Sequence, residues 1–471
     1  MTSTAATPPD SRAERVSGMD AWQLYQETSL QVGNGMSLIL VDRSSVIGDL
    51  REYVVSALNN RMHLMPAYRK VLYDPWFNPD RPMLVARPEI DVSAHVTALP
   101  MPAPGGAVGA AKALAQVRAM HLNRREPLWH MYVLDDEDTE RSYLISVVHH
   151  LLVDGDSTME VVGCLMTPGD LSARPPKLIP ASSTFPARPS AVVRDALARK
   201  GNRLRRLPRL VATSARIARS KWAARHLDVK APRTALNCSL SGSSTAAVAV
   251  LPMVDLQTVA EKYSVTINHV LLSCVGAALN EVLRRRGARP AEPLVAAVPY
   301  AMRAADTSDY VTDGVGTTTV LRVNLHTTVD DPVRRLLAVA EHARAVKAVQ
   351  EQRGVNLFRQ WNEYAPGRAV NLMFRTIERF GLAERISWPC NVIVSNASGI
   401  AVEDPVFLDL PALRFHPAGP LYHGMGPSVI AMSWDSNLCL SVTADTRHVA
   451  DAAVITDGIA AEFAALLGSA R

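Results

Sequence analysis

The sequence has little cysteine, almost no imbalance of charge and no long apolar run. Five cysteines, Cys164, Cys238, Cys274, Cys390 and Cys439, lie far apart in 471 residues. No Cys/Cys or Cys/His spacing suits a zinc site or redox couple, and an odd, scattered set fits reduced thiols in a cytoplasmic protein. The first twenty residues carry Pro, Asp, Arg and Glu where a secretory signal needs a continuous apolar region. No uncharged apolar run approaches the ~20 residues that span a bilayer, because the segment from His269 to Leu283 is interrupted by Asn280 and Glu281. The expected location is cytoplasmic, with any membrane contact peripheral. Lys and Arg number 50 against 45 Asp and Glu, a net charge of +5 that by itself gives no reason to expect nucleic acid as a partner. What is present is apolar: 48% hydrophobic against 20% charged residues supports a large core and excludes global disorder.

Length, at about 150 residues per domain, suggests two or three compact units, and two is the working number. Residues 1–16 read as a disordered leader, 17–183 as a first domain, 184–232 as a basic connector and 233–471 as a second domain. In the first domain, Met36 to Val41 and Trp129 to Leu134 read as strands, Ile47 to Asn59 and Gly109 to Met120 as helices. Ser142 to Val148 is an almost wholly apolar strand. Thr167 to Pro189 is rich in Pro, Ser and Ala, as a connection between units would be. Eleven basic residues and one acid, Asp195, fall between Arg194 and Arg225, interleaved with Leu197, Leu204, Leu207, Leu210, Val211, Ile217 and Trp222. Such a stretch is either a solvated crossover helix or an amphipathic surface that lies on anionic lipid. The second half reads as strands near Ala246 to Leu251, Leu294 to Val298, Thr317 to Val323, Asn391 to Ser395, Val429 to Trp434 and Leu438 to Ala444. Helices are predicted from Asn268 to Arg285 and from Asp451 to Leu467. Alternating helices and strands indicate an α/β fold.

The strongest chemical signal is His149-His150-Leu151-Leu152-Val153-Asp154-Gly155, directly after the apolar strand. Ser157 and Glu160 come next as a capping box, which gives strand, turn, helix. Strand side chains alternate, so the two histidines point to opposite faces and a shared metal is not expected. A neutral imidazole accepts a hydroxyl proton as attack on an acyl carbon develops and returns it to the leaving group. Asp154 either orients that base or anchors the turn through an arginine, and Gly155 permits the tight exit. A histidine pair that is simply buried and hydrogen-bonded fits the same seven residues.

This motif resembles the HHxxxDG signature of acyl-CoA-dependent acyltransferases related to chloramphenicol acetyltransferase and to nonribosomal condensation domains. The resemblance narrows to bacterial wax ester synthase/diacylglycerol acyltransferases, and it spans almost the whole chain. It rests on Met19-Asp20-Ala21-Trp22, Pro127-Leu128-Trp129, Val298-Pro299-Tyr300-Ala301-Met302-Arg303, Asn391 to Asn396, Tyr422-His423-Gly424 and Ala444-Asp445, in that order. It implies two related chloramphenicol-acetyltransferase-like domains forming a pseudo-dimer with an interdomain tunnel. By that resemblance His150 is the base, His149 and Asp154 are structural, and Arg303 pairs with Asp154. Ser395 and Asn396 would shape the acyl channel or polarise the acyl oxygen, although residues after a strand also serve simply as turn formers. Acyl-CoA would be a co-substrate, with no bound cofactor or metal. The acceptor would be diacylglycerol or a fatty alcohol, at a peripheral membrane or lipid-droplet surface, in a monomer or weak dimer. Three segments depart from the family pattern: Asn396-Ala397-Ser398-Gly399-Ile400, Asp313 to Thr317, and Ser433-Trp434-Asp435. They leave open another hydroxyl acceptor, such as a polyketide or sugar, or a non-catalytic lipid- or protein-binding member.

Overall fold

The computed structural model describes residues 14–87, 89–135, 139–152, 155–166, 189–220, 227, 229–301, 318–353, 357–397, 399 and 404–471. Its strands are β1 (Glu14–Arg15), β2 (Asn34–Asp42), β3 (Lys70–Tyr73), β4 (Met83–Ala86), β5 (Val96–Leu99), β6 (Trp129–Leu134), β7 (Arg141–His149), β8 (Ser244–Pro252), β9 (Val295–Ala301), β10 (Thr318–Asn324), β11 (Val392–Ala397), β12 (Val406–Phe407), β13 (Leu410–Ala418), β14 (Ser428–Trp434) and β15 (Asn437–Asp445). The helices are α1 (Gly18–Tyr25), α2 (Leu50–Arg61), α3 (Gly106–Arg118), α4 (Gly155–Met166), α5 (Pro189–Ser220), α6 (Met253–Lys262), α7 (Ile267–Arg285), α8 (Pro332–Arg353), α9 (Leu357–Asn362), α10 (Gly367–Arg379) and α11 (Ala453–Ala470).

Two six-stranded sheets carry the fold. The first has the order β12-β13-β2-β7-β6-β5 and the second β10-β9-β11-β14-β15-β8. β7 is central to the first sheet, and its run Ser142 to Val147 is buried on both faces, which is why the segment is continuously apolar. In the second domain, α7 opens on a Thr266/His269 capping box and buries Val270, Leu271, Cys274, Val275 and Leu279. α11 lies beside it with Ile455, Ile459, Phe463 and Leu466 buried. α11 is long and apolar enough to cross a membrane, but those four side chains belong to the second core.

The division into domains is crossed by one strand. β13, from the second half of the chain, pairs antiparallel with β2 and so completes the first sheet. The same strand leans on the second sheet, with Phe415 stacked on Trp434 at 5.2 Å and His416 Nδ1 3.1 Å from the Leu440 carbonyl. At the other end, residues 14–16 of the expected leader belong to the fold: β1 pairs with β4 at Glu14↔Leu84 and Arg15↔Met83, and Val16 is buried. The described fold thus includes residues upstream of Ser17. Within the expected connector, α5 is a single long helix along the surface that includes Pro208.

Candidate active site

β2 and β7 set the geometry. Their antiparallel register places Asn34 opposite His149 and Gly35 opposite Val148. One residue beyond the strand, the His150 N–H donates to the Gly33 carbonyl at 3.1 Å, and the Leu152 N–H donates back to the His149 carbonyl at 2.9 Å. The chain turns there, and α4 begins at Gly155.

The two imidazoles have different surroundings. His149 is buried. Its Nδ1 accepts the Leu151 N–H at 2.9 Å, so its proton sits on Nε2, which donates to Glu27 Oε1 at 3.0 Å. Glu27 also accepts the Gly33 N–H at 2.9 Å and an Arg124 guanidinium N–H at 2.7 Å. Burial by itself raises the pKa of this carboxyl, but the His149, Gly33 and Arg124 bonds outweigh it and hold the group at about 2. Glu27 is therefore a buried carboxylate at neutral pH.

His150 lies over Gly35: a methyl group there would sit 3.6 Å from its Cε1 and 3.7 Å from its Nε2. Part of the residue is accessible although protein crowds the ring, and among the described residues no side chain bonds its imidazole. Burial lowers its pKa to about 4. The ring is neutral at physiological pH and is free to accept a proton.

The structure thus brings together His149, His150 and the start of α4 at Gly155. Asp154 and its expected partner Arg303 lie outside the described residues, as does the departing segment from Asp313 to Thr317. Ser395 and Asn396 lie on β11 of the other sheet, opposite Ile430 and Ala431, both half-buried. Asn396 Oδ1 is buried without a hydrogen-bond partner, and neither residue bonds His150 among the described residues. Of the altered late residues, Gly399 keeps its place against the Ser433 backbone, where a Cβ would come within 1.6 Å of the carbonyl oxygen. Trp434 is buried and donates its indole N–H to the Ala412 carbonyl at 3.2 Å. Among the described residues no three His, Cys, Asp or Glu side chains gather into a metal site.

Sequence reading missed Glu27, the acid bound to His149. It lies 122 residues upstream of that histidine, in the polar run Gln26-Glu27-Thr28-Ser29 after α1, and no spacing connects the two. It also missed that Gly33 and Gly35 are the floor of the site. Their signal was a glycine pair at the start of an apolar strand, where close approach of other groups is a standing reason for glycine.

Two six-stranded sheets in an α/β fold, with a histidine pair at the end of a central strand, place the chain in the chloramphenicol-acetyltransferase-like fold class. The pattern of the wax ester synthase/diacylglycerol acyltransferase catalytic domain matches residues 16–271, more than half the chain, and that of the WS/DGAT C-terminal domain matches residues 317–467. The chain belongs to the wax ester synthase/diacylglycerol acyltransferase family and is an acyltransferase. It is 27% identical over 455 residues to a Mycobacterium tuberculosis protein provisionally named a diacylglycerol O-acyltransferase, covering 94% of this chain and 88% of that one. A second such protein from the same organism is 27% identical over 468 residues, covering 96% and 95%. Among solved structures, the wax ester synthase/diacylglycerol acyltransferase of Marinobacter aquaeolei VT8 aligns with a TM-score of 0.68 at 19% identity, over 97% of this chain and 99% of that one. Trichothecene 15-O-acetyltransferase of Fusarium sporotrichioides shares the fold at a TM-score of 0.59 and 13% identity, over 99% and 100%.

Proposed function

We propose that the protein moves a long-chain acyl group from coenzyme A to diacylglycerol or a fatty alcohol, with His150 as general base. The observation that carries this reading is the His150 imidazole: neutral, unbonded by any described side chain, and fixed by its own backbone over Gly35. His150 takes the acceptor's hydroxyl proton while the oxygen attacks the thioester carbon. The tetrahedral adduct then expels the thiolate, which takes the proton back from the imidazolium, leaving an ester and free coenzyme A. A base with a pKa near 4 is weak, but its conjugate acid is correspondingly strong, which favours the second proton transfer. No resident cofactor or metal is needed for this balance.

The test is thiol release from palmitoyl-CoA by purified protein, with diacylglycerol or hexadecanol as acceptor. The reading requires acceptor-dependent release that falls by about 10² to 10⁴ in His150→Ala, the usual worth of general-base help. Release untouched by the mutation, or none with either acceptor, shifts the assignment to another hydroxyl acceptor or to a non-catalytic role.

The same reading places the chain on a lipid surface, where its apolar substrates reside. Support comes from α5, which buries Val192, Ala196, Leu210 and Ile217 and exposes Leu197, Leu204 and Val211 at seven-residue intervals among Lys200, Arg205, Arg206, Arg209 and Arg216. Trp361 of α9 donates to Ser214 of α5 at 3.1 Å, and Arg368 of α10 bonds the Trp76 carbonyl. Through these contacts the face extends to exposed Trp76, Leu372 and Phe380 beside Arg375 and Arg379. Flotation with vesicles is expected to show salt-sensitive binding that requires anionic lipid and is lost in Leu204→Glu/Val211→Glu. Equal flotation with neutral vesicles, or none, removes the lipid-surface reading.

A further inference from the structure

The segment from Gln26 to Gly33 is a strap between the two halves of the molecule. On one side, Glu378 of α10 accepts hydrogen bonds from the Thr28 and Ser29 hydroxyls and from the Leu30 N–H at 3.2 Å. Asn371 of α10 donates to the Glu27 carbonyl at 2.8 Å and to the Tyr25 carbonyl at 3.0 Å. Gln31 Oε1 accepts the His423 N–H at 2.7 Å, while its amide donates to the Gln26 carbonyl at 2.7 Å. The backbone of Glu27 is thus fixed by the second half, and its carboxylate is directed at the histidine pair of the first.

That carboxylate touches both supports of His150. Through Nε2 of His149 it fixes which nitrogen carries the proton, and only that tautomer leaves Nδ1 free to accept the Leu151 N–H that shapes the turn. Through the N–H of Gly33 it holds the residue whose carbonyl receives the His150 N–H. We infer that Glu27 is a positioning residue for His150, acting through the His149 tautomer on one side and the backbone of Gly33 on the other. This inference rests on the reading of His150 as the base.

The protonation states explain why a carboxylate is required. An amide in its place presents either a carbonyl or an NH₂ to His149. With the NH₂ toward His149, Nε2 becomes the acceptor, the ring proton moves to Nδ1, and two N–H groups, those of Leu151 and of Nδ1, face each other. The turn then yields, and His150 moves with it. With the carbonyl toward His149, the NH₂ meets the Arg124 guanidinium instead, donor against donor. A carboxylate accepts from all three neighbours and has neither conflict.

The test compares wild type, Glu27→Gln and Glu27→Asp in the full chain. Histidine ¹⁵N shifts report the tautomer, with the His149 signal assigned by its loss in His149→Asn. In wild type His149 is expected as the Nε2–H form. Glu27→Gln is expected to populate the Nδ1–H form and to lower kcat about 10²-fold, with KM for acyl-CoA changed less than about threefold. Glu27→Asp keeps the charge with a shorter reach, and is expected to retain the Nε2–H form at about tenfold lower kcat. Because Asp is the milder change, it carries the test should Glu27→Gln not fold. An unshifted His149 signal, or a kcat loss that merely tracks thermal stability, overturns the inference. Absence of His150-dependent turnover in wild type overturns the acyl-transfer reading instead, because the tautomer signal needs no turnover.

Discussion

Two buried histidines, one from each half, are held in the same way. His149 accepts the Leu151 N–H at Nδ1 and faces Glu27 with Nε2; His423 accepts the Leu240 N–H at Nδ1 at 3.1 Å and faces Glu378 Oε2 at 2.9 Å. The next residue in the chain differs between them. After His149 comes His150, whose ring emerges over Gly35. After His423 comes Gly424, in the left-handed region at φ +74° and so close to Trp388 that a Cβ would lie 1.9 Å from its ring. The His–Glu pair is an anchor in both halves, and the neighbouring position differs: a histidine follows in one half and a glycine in the other. Both anchors grip the same strap, which explains why one segment of eight residues carries so many of the bonds between halves.

The likeness of the two anchors breaks most sharply when each half is changed separately. His150→Ala is expected to remove about 10² to 10⁴ of turnover while leaving the urea midpoint nearly unmoved, because no described side chain depends on its ring. Glu378→Ala has the opposite signature. It strips acceptors from His423, Thr28, Ser29 and Leu30, and a loss of about 3 kcal/mol in unfolding free energy is expected, with kcat within about tenfold where the protein is folded. A stability loss in His150→Ala equal to that in Glu378→Ala would show that the halves are not specialised. Gly424→Ala tests the silent anchor directly: positive φ alone costs about 1 to 2 kcal/mol, and the Trp388 ring adds to it.

Acidification separates stability from activity. Burial lowers the pKa of His150 to about 4 and lowers that of His423 despite Glu378. A histidine whose folded pKa is depressed contributes stability that is whole above its unfolded value, about 6.5, and is lost as pH falls toward the folded pKa. Unfolding free energy is therefore expected to decline from about pH 6.5 downward, measured by urea titration at successive pH values. Glu27, held at about 2, adds a second loss only below about pH 4.5. The acid limb of kcat/KM is expected near pH 4, with a plateau from about pH 6 to 8. A limb near 6.5 would mean that His150 is more solvated than its surroundings imply.

Much of this was legible in the sequence, for identifiable reasons. Trp129 to Leu134 is a strand over the predicted residues, and β7, α7, α11, β14 and β15 fall within two or three residues of their predicted bounds. Each is a strongly apolar run whose partner lies in its own half. β13 was invisible because Leu410-Pro-Ala-Leu-Arg-Phe-His-Pro-Ala418 contains two prolines, which demote a strand, and because its partner β2 lies at the other end of the chain. α8 and α10 were passed over because charged residues crowd their sequences and mask short buried stripes, Leu336, Val339, Ala340 and Ala343 in α8 and Phe374 and Ile377 in α10. Glu27 was hidden for the same reason as β13. Its importance lies in a contact between distant segments, and a single acid in a polar loop carries no periodicity to betray it. The anchor at His423 was seen only as part of a motif, without its role.

Gly35→Ala is the mildest way to sharpen the contrast between the halves. Gly424 cannot accept a side chain, whereas Gly35 can: its φ is not positive, and the added methyl would meet the His150 ring at 3.6 to 3.7 Å, an ordinary contact. Folding should therefore be unaffected, with a thermal midpoint unchanged from wild type. The methyl nevertheless occupies the space beside the imidazole through which an acceptor hydroxyl would approach. One methylene-sized obstacle in an apolar site is worth about 1 to 3 kcal/mol of discrimination. The expected result is a loss in kcat/KM of about tenfold for a bulky acceptor such as diacylglycerol and a smaller loss for hexadecanol, measured by thiol release. Equal losses for both would place the acceptor path on another side of the ring, and a fall in thermal midpoint would mean that the floor of the site is packed as tightly as Gly424.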